Sequence, residues 1–112
     1  MGGSSSLNFM IHTRGNRRDY DGWEAAGNPG WGYDAVLPYF KKSESVMDPE
    51  LAKDRHFHGT EGPHVVSSPS WRTPLAEAFV EAGRDSGFPV AADFNGRSQC
   101  GFSYLQVGHF IS

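Results

Sequence analysis

The spacing of hydrophobic residues predicts a helix most clearly in the second half of the chain. Apolar residues recur there at i, i+3, i+4 and i+7, the spacing of one helix face: Leu75, Ala78, Phe79 and Ala82. Thr73 is a good N-cap residue, and Pro74 suits the first helical position. Gly87, followed by Pro89, predicts where this helix ends.

Two further helices are predicted in the first half of the chain. Asn16 is a good N-cap for a helix over residues 17–26, in which Tyr20 and Trp23 are expected to share a buried face. A second helix is expected to begin between Asp34 and Val36, with Asp34 as its cap, because a proline at position 38 is tolerated only near a first turn.

Extended segments are fewer and less regular. The apolar run 7–11 predicts a buried extended or irregular segment, and residues 65–68 and 101–107 predict strands. Residues 45–53 are polar and predict a loop, and residues 93–96 predict a turn. Because isolated strands do not make a stable sheet, we expect a piece of a larger α+β fold rather than an independent domain.

Composition narrows the possible classes of function. The chain has 112 residues, 14 of them glycine and 7 proline, and a net charge of −3. It has no basic block of the kind that binds nucleic acid, no apolar run long enough to span a membrane, and no signal-peptide pattern. Its single cysteine, Cys100, is expected to be a small packed side chain. The cellular compartment is left open.

Three histidines form the first candidate site. His56, His58 and His64 follow an H-x-H-x5-H spacing, and three histidines are a known zinc ligand set. The spacing matches no standard zinc pattern, so structural roles in turns are favoured over metal binding. A small His-rich metal-binding or interaction module is nevertheless kept as the alternative function.

The N-terminal stretch is the second candidate site. Gly2 and Gly3 permit a tight turn and close approach to a ligand. Ser4 and the two serines after it offer hydroxyl donors, and Asn8 offers an amide. This inventory suits a phosphate or the polar edge of a flat cofactor, although residues 1–6 alone would also suit a flexible linker.

The N-terminal stretch and its downstream landmarks together resemble a known family. The matching segments are Gly2–Asn8 (GGSSSLN), Thr13–Gly15 (TRG), Asp19–Trp23 (DYDGW), Gly30–Asp34 (GWGYD), Tyr39–Glu44 (YFKKSE), His58-Gly59, Gly62-Pro63, Asp93–Gly96 (DFNG) and Gly101-Phe102. In this combination they resemble the glucose–methanol–choline (GMC) oxidoreductases, most of all the glucose dehydrogenase-like branch. The linker interpretation then loses its force, because a linker would not be followed by these landmarks.

The resemblance implies an FAD enzyme that oxidises alcohols or sugars by hydride transfer to the flavin. It implies two domains, with residues 1–45 forming an FAD-contact loop and lid and residues 46–112 forming part of a substrate domain built on an antiparallel sheet. The cofactor contacts that it implies are Gly2, Gly3, Ser4, Asn8, Phe9, Met10 and Ile11. Some relatives attach FAD through a histidine before the asparagine. Leu7 occupies that position here, which implies non-covalent FAD.

Two expected features of such an enzyme are missing from this sequence. The chain lacks the GxGxxG fingerprint that binds the ADP moiety. It also lacks the catalytic histidine of the family, because none of its histidines matches that position: His12, His56, His58, His64 and His109. We therefore expect a fragment without a catalytic residue, inactive by itself. Its substrate, and whether oxygen or a quinone accepts the electrons, are not predicted.

Overall fold

The computed structural model describes residues 2–110, apart from the side chains of Ser5, His109 and Phe110. Residues 1, 111 and 112, which belong to the predicted segments 1–45 and 46–112, lie outside the described residues. A 3-10 turn, Gly3–Ser6, comes first. The strands are β1 Ile11–His12, β2 Glu44–Val46, β3 His64–Ser67 and β4 Gln106–Phe110. The helices are α1 Arg17–Ala25, α2 Tyr33–Ser43, α3 Pro49–Ala52 and α4 Pro74–Asp85.

The four strands form one mixed sheet in the order β1-β4-β3-β2. Strands β1 and β3 are both antiparallel to β4. Val107 of β4 pairs with Ile11 of β1 on one side and with Ser67 of β3 on the other. Strand β2 runs parallel to β3, with Val46 opposite Val66. The α+β class is therefore confirmed. The sheet joins strands from both sides of the boundary predicted at residue 45, which falls inside β2.

The caps of the first and last helices are as predicted. Asn16 accepts a hydrogen bond from the Arg18 amide and forms a capping box with Asp19 at the start of α1. Thr73 caps α4 by accepting from the Ala76 amide, and Gly87 follows the helix with a φ of +84°. Side chains of these types satisfy amides that have no acceptor inside the helix.

The predicted start of α2 was wrong. The helix begins at Tyr33, after Gly32, so Asp34 lies in the first turn and Pro38 lies beyond it. The Tyr33 amide instead donates to Asp21 Oδ1 at 2.9 Å, so the capping oxygen comes from α1. Pro38 lacks the amide that would bond the Asp34 carbonyl, and both residues are exposed.

Two segments also differ from the sequence prediction in type or position. The predicted loop over 45–53 contains the last two residues of β2 and all of α3, and Asp48 caps α3 by accepting from the Glu50 amide. The last strand covers Gln106–Phe110 rather than 101–107. Both strands depend on pairing with β3, a distant partner that no local pattern reveals.

The apolar core is small. Tyr33, Leu37 and Phe57 pack together with Tyr20 beside them, while Val66 is fully buried in the sheet. Several residues predicted to be buried are exposed instead. They are Leu7 (84% exposed), Phe9 (83%), Met10, Ile11, Trp23 and Cys100. The described chain therefore presents a wide apolar surface, which fits its expected nature as part of a larger protein.

Helix α4 packs through a different face from the predicted one. Its apolar stripe is exposed at Leu75 and Phe79, and its buried residues are Val80 and Gly83. A Cβ at Gly83 would lie 2.6 Å from the ring of Phe102, so the glycine allows that ring to sit against the helix. Within residues 2–110, no helix is long and apolar enough to cross a membrane.

Candidate functional site

The N-terminal stretch folds into an exposed turn followed by an exposed apolar segment. Gly3 begins the 3-10 turn with a φ of +65°, a conformation that glycine adopts without strain. Nothing lies within 4 Å of where a Cβ on Gly3 would be, so the space above it is open. Ser4 and Ser6 are exposed. The turn thus presents hydroxyls and an open backbone surface toward solvent.

Asn8 holds the residues after this turn in shape. Its side-chain Nδ2 donates to the Ser4 carbonyl at 3.0 Å, and its Oδ1 accepts from the Met10 backbone amide at 2.8 Å. Met10 has a φ of +55°, the only positive φ among the described non-glycine residues. A left-handed conformation costs a residue with a Cβ about 1 kcal/mol, and such strained positions concentrate at functional sites.

The sheet and a buried asparagine hold the segment beyond Met10. The Gly108 amide donates to the Met10 carbonyl at 2.8 Å, and Ile11 pairs with Val107 across β1 and β4. Asn95 accepts from the Arg14 amide at 2.9 Å and donates to the His12 carbonyl at 3.2 Å. The Asn95 side chain thus holds the backbone at two positions, residues 12 and 14.

Behind this segment lies a buried cluster of charged side chains, which we call the charge network: Arg14, Glu44, His58 and Asp93. Arg14 Nη2 lies 2.7 Å from Glu44 Oε2, and Arg14 Nη1 donates to the Phe57 carbonyl at 2.6 Å. The relative exposures of Arg14 and Glu44 are 5% and 1%. Charged groups this deeply buried need partners, because their desolvation is costly.

His58 connects the two carboxylates of the charge network. Its Nδ1 lies 3.1 Å from Glu44 Oε2, and its Nε2 lies 2.9 Å from Asp93 Oδ2. The Gly59 amide also donates to Glu44 at 2.9 Å. Because both ring nitrogens face carboxylate oxygens, a doubly protonated imidazolium satisfies both contacts by donating twice.

The electrostatics of the network favour its charged form. Burial alone would lower the pKa of His58, but the bonds to Asp93 and Glu44 raise it to about 9. Burial would raise the pKa of Glu44, but His12, His58 and Arg14 together hold it well below its usual value. Burial would likewise raise the pKa of Asp93. Hydrogen bonds from His58, the Asn95 amide and Gln106 lower it instead. All these groups are therefore ionised near neutral pH.

The network closes back onto β4. Asp93 Oδ1 accepts from the Asn95 amide at 2.8 Å and from Gln106 Nε2 at 2.6 Å. Gln106 Oε1 in turn accepts from Asn95 Nδ2 at 2.9 Å. His12 Nε2 lies 3.6 Å from Glu44 Oε1, an ion-pair distance rather than a hydrogen bond. Polar side chains of five segments therefore meet at one buried site.

The histidines of the predicted alternative site have different surroundings. His56 is exposed and contacts the Phe57 ring edge-on, and His58 lies in the charge network. The ring of His64 lies tilted against that of His12, with their centroids 5.2 Å apart. Among residues 2–110, no group of three or more His, Cys, Asp or Glu side chains is placed to hold a metal ion.

Sequence reasoning missed the charge network, although it noted His58. Its members are far apart in the sequence and show no shared spacing. One signal was available: Gly59 and Gly62 follow His58 closely, and a Cβ on either would collide with the backbone at residues 41–44. Glycines in such a pattern indicate close backbone approach, here of the loop that carries His58 to the strand that carries Glu44.

Comparison with known proteins identifies relatives over nearly the whole chain. The family model described as GMC oxidoreductase matches residues 1–109. The oxygen-dependent choline dehydrogenase of Brucella anthropi is 43% identical over 106 residues, which are 95% of this chain and 19% of that protein. Glucose dehydrogenase (FAD, quinone) of Drosophila melanogaster is 45% identical over 108 residues, 96% of this chain and 17% of that protein. The chain thus spans about a fifth of the length of these curated relatives.

Solved structures share the fold of this segment. An FAD-dependent oxidoreductase from Chaetomium thermophilum superposes with a TM-score of 0.80 and 37% identity, over 95% of this chain and 20% of that one. Pyridoxine 4-oxidase from Mesorbium loti gives a TM-score of 0.79 and 32% identity, over 93% of this chain and 20% of that one. The resemblance inferred from the glycine–serine–asparagine turn and its aromatic landmarks is confirmed, and the chain belongs to the GMC oxidoreductase family.

Proposed function

We propose that this chain is the flavin-facing segment of an FAD-dependent oxidoreductase that acts on CH–OH groups. The observation that carries the proposal is the exposed apolar segment after the glycine–serine turn, with Leu7 84% and Phe9 83% exposed. Side chains of this kind, exposed in a row and held in a fixed backbone shape, need an apolar surface to cover them. The chain belongs to a family with FAD-dependent relatives, so the flavin of FAD is the candidate for the surface that covers these side chains.

The residues present fit FAD. Gly2, Gly3 and Ser4 would face its phosphates, because the turn offers hydroxyl and backbone donors with open space above Gly3. The segment from Asn8 to Ile11 would lie beside the flavin ring, since it is exposed, apolar and held by the Asn8 amide. When bound, FAD supplies the two-electron acceptor for hydride. This chain would bind it, orient it and exclude water on one side.

The attachment would be non-covalent. Leu7 occupies the position at which the resemblance places the linking histidine in some relatives, and a leucine has no nucleophilic atom. Acid precipitation of the loaded protein should therefore release all of its flavin into the supernatant. Flavin that stays with the precipitate would contradict this part of the proposal.

The two parts of the chain would have different tasks. Residues 1–45 would form the FAD-contact loop and lid, and residues 46–112 would form part of the substrate domain. The substrate would be a small alcohol or sugar, a class that includes the choline and glucose for which two of the relatives are named. No residue of this chain is proposed as the catalytic base, because none of its histidines matches the family position.

The test begins with the complete open reading frame that contains residues 1–112, expressed and purified. The expected result is stoichiometric flavin absorbance that bleaches when alcohols or sugars are added without oxygen. The isolated residues 1–112 are expected to retain no flavin, because they lack the ADP-binding fingerprint.

Two variants locate the contact. Ser4→Ala and Asn8→Ala should each weaken FAD binding, whereas Ser70→Ala, an exposed serine outside the turn, should not. A complete protein that is purified without flavin and that binds none on titration would contradict the proposed function.

A further inference from the structure

We propose that the charge network of Arg14, Glu44, His58 and Asp93 is a positioning device that holds the backbone of residues 10–14 and thereby sets the place of the flavin-facing segment. The flavin half of this inference rests on the proposed function. The structural half concerns only how the segment is held.

The segment has little of its own to hold it. Strand β1 has two residues, and the side chains of Met10 and Ile11 are 55% and 48% exposed. Apolar packing therefore contributes little to fixing its position. Polar contacts from the buried side chains beneath the segment must therefore fix most of its position, because a two-residue strand makes few ladder hydrogen bonds.

Arg14 is the point at which these contacts converge. Its amide donates to Asn95, its guanidinium reaches Glu44 and the Phe57 carbonyl, and its own carbonyl accepts from the Tyr20 hydroxyl. Its amide, carbonyl and guanidinium thus contact four different parts of the chain. A residue held in this way fixes the backbone on both sides of it.

A second route leads from the network to the segment through Asn95. Asp93 accepts from the Asn95 amide and from Gln106, and Gln106 orients the Asn95 side chain. That side chain then donates to the His12 carbonyl and accepts from the Arg14 amide. The two routes meet at His58, which contacts Glu44 on one side and Asp93 on the other.

The charges explain why the members act as one unit. Arg14 and protonated His58 are two cations, and Glu44 and Asp93 are two anions, so the buried cluster is neutral. Replacing one anion by an amide leaves a buried excess positive charge, which the cluster relieves by losing the His58 proton, by rearranging or by taking up water. Each of these responses weakens the contacts through which the cluster holds residues 10–14.

The experiment compares Glu44→Gln with Asp48→Ala in the complete protein that carries this chain. Asp48 is also a carboxylate, although it is only partly buried. It is bonded to Ser68 Oγ at 2.8 Å and to the Glu50 amide at 3.0 Å, and none of its described bonds reaches residues 10–14. Both variants remove one negative charge and destabilise the fold. Hydrogen–deuterium exchange reports the amides of residues 10–14, and FAD titration reports cofactor binding.

We expect faster exchange at residues 10–14 and an FAD dissociation constant raised about tenfold in Glu44→Gln, within the coupling range of one hydrogen-bond network. The Asp48→Ala variant should leave both unchanged. Asp93→Asn, whose side chain is 12% exposed, is the milder second variant should Glu44→Gln not fold, with the same direction of effect.

Unchanged exchange at residues 10–14 in a folded network variant would overturn the inference. Faster exchange together with unchanged FAD affinity would overturn its flavin half. A wild-type protein without flavin would contradict the proposed function instead, and the exchange measurements would still decide whether the network holds the segment.

Discussion

The Arg14 guanidinium lies 2.7 Å from the Glu44 carboxylate, and both side chains are almost completely buried. Residue 14 ends the segment that follows the N-terminal turn, and residue 44 begins the β2 strand. The ion pair therefore joins the exposed N-terminal segment to the opposite edge of the sheet, whose order places β1 and β2 at its two ends.

Removing one partner of this pair should destabilise the protein strongly. Arg14→Met leaves the Glu44 carboxylate buried with less compensation, and losses of this kind cost about 3–5 kcal/mol in the free energy of unfolding. Chemical denaturation of the wild type and the variant measures the loss. The matched control is Arg17→Met, because Arg17 pairs with Asp34 at the surface, where an ion pair contributes at most about 1 kcal/mol. Equal losses in the two variants would show that burial of the Arg14 pair has no energetic consequence.

The pKa of His58 gives the protein a stability that falls at alkaline pH. The groups facing its ring are Glu44 from β2 and Asp93 from the segment after α4, with Arg14 and His12 near Glu44. The pKa is raised from 6.5 to about 9, so the stabilisation is complete below about 6.5 and is lost as pH rises through about 9. The shift corresponds to about 3 kcal/mol.

Denaturation across this pH range compares the wild type with His58→Gln, which cannot titrate. The stability of the wild type should fall more steeply from about pH 6.5 to 9. Parallel curves would contradict the prediction. At acid pH the direction is reversed, because the pKa values of Glu44 and Asp93 are lowered in the folded protein. Both carboxylates stabilise the fold at pH values above their unfolded pKa values of 4.5 and 3.8. This stabilisation is lost as the pH falls through their folded pKa values.

Replacing glycine by alanine is expected to have opposite effects on stability at Gly83, where α4 contacts Phe102, and at Gly22 in α1. Gly83→Ala places a methyl group 2.6 Å from the Phe102 ring, and overpacking of this kind costs about 1–3 kcal/mol. Gly22→Ala, inside α1 with nothing within 4 Å of the new methyl, should stabilise the protein by about 0.5–1 kcal/mol. Thermal melts of the two variants test the pair. A stabilised Gly83→Ala protein would mean that Phe102 does not pack on this face.

The elements predicted correctly are those determined by neighbouring residues. Asn16 and Thr73 cap their helices through amides two and three residues away, and such contacts leave a pattern in the sequence. The cap of α2 was predicted wrongly because its oxygen comes from Asp21, twelve residues before Tyr33. A residue's preference for a cap position does not reveal whether another helix already supplies the bond.

The charge network was not predictable for the same reason, on a larger scale. By sequence, Glu44 lies in the family-matching segment Tyr39–Glu44, directly before a predicted loop, and Asp93 lies in a predicted turn. Nothing near either residue indicates that both face His58. The exposure of Leu7 to Ile11 was also missed, because an apolar run in a sequence predicts burial but does not say by what. The family resemblance supplied the flavin as a candidate that the pattern could not.

The strained backbone at Met10 predicts an unusual order of stability. With a φ of +55°, Met10 pays a cost that glycine avoids, so Met10→Gly should be about 1 kcal/mol more stable than Met10→Ala. The comparison between these two variants cancels the loss of the long side chain. Denaturation measures the difference directly. If alanine were equal to glycine here, residue 10 would have relaxed to an ordinary φ, and the Asn8 bond to its amide would not impose the left-handed conformation.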